Sequence, residues 1–154
     1  MSTLKVDNIK NLAGITQLSN VRQIRVYEES TNVVLSATTL TNVQNSLFNF
    51  TPVSNDSTII IDYSFGSNVN NTLGQNAIAS YAIGDGTTSI SVGYNHAAVS
   101  GSGGLGAYGT QNIKIFLPNT STNILQFSLM GGMQVVGQTA NVYGRRCIIT
   151  EIVQ

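Results

Sequence analysis

Residues 58–65 read T-I-I-I-D-Y-S-F, and this run admits one local structure. Ile59, Ile61, Tyr63 and Phe65 share one side of an extended backbone, and Thr58, Asp62 and Ser64 share the other, because successive side chains of a strand point to opposite faces. Alternation of β-branched and aromatic residues with polar ones predicts a half-buried strand. Ile60 is the one apolar intruder on the polar side. Upstream, residues 47–51 form a shorter apolar run that ends at Pro52, which cannot donate to a sheet ladder and so belongs at a strand end or an edge. The polar cluster at 53–57 suits a turn. A pair of strands with a tight connection is expected at the centre of the chain.

The flanking sequence continues in kind. Residues 21–28 alternate Ile24 and Val26 with Arg25, and 33–35 form a second short run. Residues 66–74 are polar and Asn-rich, which predicts a loop. Ala77, Ala79, Tyr81 and Ile83 then face one way, and Gly84-Asp85-Gly86 leads into Ile90, Val92 and Tyr94. An Asp-Gly between two alternating runs is a hairpin signal. A glycine-rich loop is expected at 97–109. Further strands are expected at 112–117 (Ile113, Ile115 and Leu117 inward), 123–129 (Leu125, Phe127 and Leu129 inward), 134–142 and 145–153.

Eight to ten short strands, with no apolar stripe of helical period beyond two turns, predict an all-β domain, a β-sandwich of the jelly-roll kind. In residues 1–20, Leu4, Val6 and Ile9 are separated by charged or amide residues and Gly14 interrupts them. This segment is expected to form an extended arm outside a sandwich of residues 21–154. It has too little to bury alone and would pack against neighbouring subunits or a larger assembly.

Composition bounds the partners. Seven Lys and Arg balance seven Asp and Glu in 154 residues, so no electrostatic attraction to nucleic acid or an anionic membrane is expected. Asn, Ser and Thr make up 49 residues, while charged residues are only 9%. With 42% apolar residues the chain is too hydrophobic for a disordered one. Between residues 31 and 144 the charges are Asp56, Asp62, Asp85 and Lys114 alone. So bare a surface is poorly defended against self-association, and a stable oligomer that hides much of it accounts for the deficit. No apolar run approaches the length of a membrane span, and no basic segment followed by an apolar core opens the sequence, so neither membrane insertion nor a secretory signal is expected.

No residue pattern points to catalysis, a cofactor or a metal. The run 101–106 (G-S-G-G-L-G) lacks the helix and the Lys or Ser/Thr that a phosphate loop requires. His96 is the sole histidine and cannot build a zinc site. Cys147 sits beside Ile148 and Ile149 and reads as a small buried hydrophobe. Asp56, Asp62 and Asp85 are far apart in sequence, and nothing pairs two of them for acid–base work. Arg145 and Arg146, with Glu151, flank the terminal strand, where charges are expected to guard an edge or pair across an interface. The chain is not expected to be an enzyme.

Three stretches carry a resemblance. The segment F-T-P-V-S-N-D-S-T-I-I-I at 50–61 resembles the signature F/I-T-P-x-S-x-x-S-x-I-x-I of trimeric jelly-roll domains in bacteriophage fibre and virion proteins. The close of the chain, G-R-R-C-I-I-T-E-I at 144–152, is similar to the same family's terminal strand, a small-polar run before I-T-L-M-E-I; Cys147 and Thr150 depart from it without changing strand polarity. Residues 2–9 (S-T-L-K-V-D-N-I) resemble the N-terminal attachment segment of many marine and cyanobacterial phage structural proteins. The resemblance implies a C1q- or TNF-like homotrimer, a short fibre or tip held to tail or capsid through Leu4, Lys5, Val6, Asp7, Asn8 and Ile9. Its partners would be its own copies and other virion proteins of tail or capsid. It would be assembled in the cytoplasm of an infected bacterium and carried on the particle surface. The alternative is a carbohydrate-binding, lectin-like adhesin module or a capsid decoration protein. A host-surface glycan or protein would then meet the loops at 66–76 and 97–109, through Asn68, Asn70, Asn71, Ser102, Leu105 and Tyr108.

Overall fold

The computed structural model describes residues 21–70, 77–91 and 107–153 in full, and 2–4, 9–10, 16–17 and 94–98 by their backbone. Every regular element among them is a strand. In chain order these are β1 (Ser2–Leu4), β2 (Ile9–Lys10), β3 (Thr16–Gln17), β4 (Val21–Glu29), β5 (Val33–Leu35), β6 (Thr41–Asn42) and β7 (Phe48–Phe50). Then follow β8 (Ser57–Asn70), β9 (Ala77–Gly84), β10 (Tyr94–Ala98), β11 (Ala107–Asn119), β12 (Leu125–Met133) and β13 (Thr139–Val153).

One sheet runs β1-β4-β13-β8-β11, with β5 also paired to β13. The other runs β10-β9-β12-β6, with β7 also paired to β12. All these pairings are antiparallel. From β4 the chain passes repeatedly between the sheets, and its last strand lies between β4 and β8. That is the strand order of a jelly roll, in which two packed sheets share one core. The backbone of β1 adds to the edge of the first sheet, with Leu4 opposite Ile24.

The alternation at 58–65 is realised along the whole of β8, fourteen residues spanning roughly 43 Å. Ser57, Ile59, Ile61, Tyr63, Phe65, Ser67 and Val69 are buried, and the residues between them are half-buried. Two expectations need correction. β7 and β8 do not pair with each other: β7 joins β12 and β8 lies between β13 and β11, so the turn at 53–57 arches from one sheet to the other. Alternation specifies which face a side chain takes, not which strand lies alongside. Residues 66–70 are strand and not loop, because the inward series Phe65, Ser67, Val69 continues through the Asn-rich stretch.

A chain of rings threads the core. Tyr27 stacks on Phe48 at 4.5 Å between centroids, Phe48 on Tyr63 at 6.0 Å, and Tyr63 and Phe65 then meet edge-on at 6.2 Å, as do Phe65 and Tyr81 at 4.8 Å. The Tyr81 and Ser67 hydroxyls share a hydrogen bond of 2.5 Å inside the sandwich. Burial pushes Tyr81 up to about 12, the Ser67 hydrogen bond opposing it, and burial likewise pushes the Cys147 thiol up to about 12. Cys147 is fully buried.

The C-terminal region is one strand where two were expected: residues 134–138 turn, and β13 then runs from Thr139 to Val153. Its register against β8 slips between Tyr143 and Arg146. Gly144 sits at the slip with φ 54°, a left-handed conformation that glycine adopts without strain. The bulge turns Arg145 inward, where it is only 2% exposed.

Candidate functional site

The outer face of the first sheet carries two unlike halves, placed by register. At the end where the chain enters at Val21, successive cross-strand rows are Ile152–Thr58–Pro118, Ile24–Thr150–Ile60–Phe116 and Val26–Ile148–Asp62–Lys114. Ile60, the intruder in the polar side of its strand, thus belongs to an aliphatic field contributed by four strands. Phe116 at its edge is 62% exposed. The charges in the field neutralise each other, with Lys114 Nζ 3.5 Å from Asp62 Oδ2. Next comes the row Glu28–Arg146–Ser64–Asn112, in which Arg146 Nε lies 3.3 Å from Glu28.

Beneath the aliphatic field a polar cluster is set among the buried Ile59, Ile61 and Ile149. Glu151, fully buried, accepts hydrogen bonds from Gln23 Nε2 at 2.8 Å, the Val53 amide at 3.0 Å, the Ser54 amide at 3.0 Å and Ser57 Oγ at 3.0 Å. Gln23 Nε2 also reaches the Thr51 carbonyl at 2.8 Å, and Asn119 Nδ2 donates to the Ser54 carbonyl at 2.7 Å. One carboxylate on the last strand therefore clamps the Thr-Pro turn between the sheets. A carboxylate removed from water is tolerated when several donors meet it, and here four groups do. This corrects the expectation that Arg145, Arg146 and Glu151 guard an edge. β13 is central, Glu151 is inside, and Arg145 donates to the Gln44 carbonyl at 2.5 Å and the Thr31 carbonyl at 3.2 Å. Arg146 alone lies outside. The Tyr63 hydroxyl and Arg145 Nε are covered without a hydrogen-bond partner among the described residues. Burial raises the Tyr63 pKa strongly, so it stays a neutral phenol.

The other half of the face is amide and aromatic. Its rows are Thr110–Gly66–Tyr143, Tyr108–Asn68–Asn141–Val34 and Asn70–Thr139, with Val34 the one aliphatic side chain among them. Tyr108 is 73% exposed and Tyr143 38%. The Tyr143 ring lies directly over Gly66, so any side chain at Gly66 would collide with it. The ring lies flat against the Gly66 backbone and is partly open to solvent. Asn70 Nδ2 lies 3.4 Å from Thr139 Oγ1, and Asn68 Oδ1 is covered without a hydrogen-bond partner.

Sequence reasoning placed Asn68, Asn70 and Tyr108 in two loops. They are strand residues instead, and the register sets Asn68 directly between Tyr108 and Asn141. Asn71, Ser102 and Leu105 lie outside the described residues, as do Lys5, Val6, Asp7 and Asn8 of the expected anchor. Leu4 lies in β1 and Ile9 in β2. Asn141 and Tyr143 were missed, although their alternation with the buried Ala140 and Val142 was in the sequence. Among the described residues no three His, Cys, Asp or Glu side chains gather as a metal ion would require.

No protein-family model and no curated protein matches the chain. Solved structures are similar at low identity. The dimeric latent PorU of Porphyromonas gingivalis shares 15% identity over 83% of this chain and 13% of its own, with a TM-score of 0.37. The Gx strain of infectious bursal disease virus shares 16% over 97% and 41%, with a TM-score of 0.35. The VP2 subviral particle of infectious bursal disease virus shares 15% over 99% and 43%, with a TM-score of 0.28. The chain thus spans less than half the length of each.

Proposed function

We propose that the chain is a structural component of a tailed-phage virion, a short homotrimeric fibre or tip held to tail or capsid through residues 1–20. The observation that carries this reading is the aliphatic field on the outer face of the first sheet. Ile24, Val26, Ile60, Ile148, Ile152 and Phe116 form a contiguous surface on a chain with few charges elsewhere to keep copies apart. Covering such a surface with further copies removes apolar area from water at roughly 25 cal/mol per Å². Contact between this face and the Phe116 edge of the next copy is heterologous, and a heterologous contact that closes makes a ring.

The placing of Glu151 supports the reading. The two stretches that carry the resemblance to trimeric phage jelly rolls, 50–61 and 144–152, are far apart in sequence, yet the Glu151 carboxylate binds one to the other. The pattern is a single interlocked unit. The reading needs no catalytic group and assigns none. The amide-and-tyrosine half favours a compatible second role as a carbohydrate-binding module at the host surface.

The test is to locate the protein with gold-labelled antibody on purified tailed particles, alongside a chain lacking residues 1–20. Label should decorate particles made with the full chain. The shortened chain should still associate with itself but be missing from particles. Unlabelled particles, or full incorporation of the shortened chain, would overturn the virion role or the anchor respectively.

A further inference from the structure

We propose that the amide-and-tyrosine half of the sheet face binds a neutral polysaccharide. Tyr143 and Tyr108 would stack on its sugar rings, and Asn141, Thr110 and the amide nitrogen of Asn68 would pair with its hydroxyls. The inference deepens the carbohydrate-binding role above and depends on the virion reading only for which way the patch faces. The binding chemistry stands on the sheet itself.

Three observations carry it. The first is preorganisation. Tyr143 already lies flat against Gly66, in the orientation that stacking needs, and a ring placed before binding loses little entropy on binding. Tyr108 sits two strands away and one row further along, roughly 12 Å from Tyr143 by strand spacing and rise. That separation leaves room for linked pyranose rings lying across β8. The second is charge. No ionisable side chain other than the tyrosines occupies these rows; of the charges in the next rows, Arg146 pairs with Glu28, Arg145 is turned inward, and Glu29 accepts from Thr31. A polyanion would find no free cation here, whereas amides and a threonine hydroxyl offer both donors and acceptors to sugar hydroxyls. The third is position. The chain enters the sandwich beside Ile152, at the Ser57 end of β8, and the patch occupies the opposite end. A domain held by its N-terminal arm would present the patch away from the particle.

The experiment is affinity electrophoresis of the full chain through gels containing dextran, mannan or galactan, with alginate as a charged comparison and the oligomer's mass followed by light scattering. Retardation by at least one neutral polysaccharide and none by alginate is expected. Tyr108→Ala and Tyr143→Ala should each weaken it about tenfold with the mass unchanged, and Tyr143→Phe should retain it. Tyr108 is so exposed that its removal leaves folding intact, which guards the test against misfolding of the Tyr143 variant. Failure of all three neutral polysaccharides, or retardation indifferent to both alanine variants, overturns the proposal. So does loss of the oligomer in Tyr108→Ala, which would make the patch a contact between copies. Because the purified chain is used, binding by a protein absent from particles would sink the virion role and leave the site standing.

Discussion

The two ends of β8 differ in what they bury and what they show. Near Ser57 a buried carboxylate with Gln23 and Asn119 is set among Ile59, Ile61 and Ile149, while isoleucines and a phenylalanine lie on the outside. Near Asn70 the interior is Phe65, Ser67, Val69, Ala140 and Val142, and the outside is asparagine, threonine and tyrosine with Val34. The second arrangement is how a sheet facing water is ordinarily built. The first departs from it in two places, and each departure has a separate cause. The inward carboxylate fastens the turn that carries the chain from one sheet to the other. The outward aliphatics, half-buried apart from the exposed Phe116, leave apolar area that further copies would remove from water. The same sheet thus fastens its own turn inside and carries two unlike surfaces outside.

Removing the carboxylate should have the greatest effect. Glu151→Ala leaves the Val53 and Ser54 amides, Ser57 Oγ and Gln23 Nε2 facing a void. The expected loss is about 3–5 kcal/mol, or roughly 10 °C in thermal unfolding followed by circular dichroism. An unchanged midpoint would mean that the polar cluster there does not hold the turn. The next effect falls on assembly. Ile60→Asp puts a charge in the middle of the aliphatic field without touching the core, so a folded monomer is expected in sedimentation. A variant that keeps its mass would place the contact elsewhere on the surface.

A smaller effect should appear in alkali, and it belongs to the apolar interior. The folded-state pKa values of Tyr81 and Cys147 are raised to about 12 from ordinary values of 10.0 and 9.0. Folding therefore holds their protons more tightly than the unfolded chain does. That stabilisation is complete below about pH 9 and is lost as pH rises toward 12. Urea midpoints should fall across this window, and Tyr81→Phe should blunt the fall. Least of all should come from Glu28→Ala, which breaks a solvent-exposed pair with Arg146 and is expected to shift stability by about 0.5 kcal/mol or less in the same titrations.

Much of the fold was legible because inward apolar residues recur at the expected places in β8, β9 and β13: Ala77, Ala79, Tyr81 and Ile83, for example, are all buried. What was lost shares one origin. Asparagine and glycine at 66–70 suggested a loop, since local composition outweighed the continuing series Phe65, Ser67, Val69. Ile60 stood out as an exception, but only pairing with Thr150 and Phe116 makes it part of a surface. Glu151 resembled an edge charge because nothing in its neighbourhood along the chain names its donors, which come from residues 23 and 53–57. Likewise Tyr143 became a candidate only when register placed Gly66 beneath it. Faces are written in the local sequence; neighbours across strands are not.

The direct measurement is the molar mass of the purified full chain in dilute solution by light scattering. If the aliphatic face is covered by further copies in a closed ring of three, the mass is expected at three times the chain's 16.3 kDa, and a clean monomer with that face open to water would contradict it.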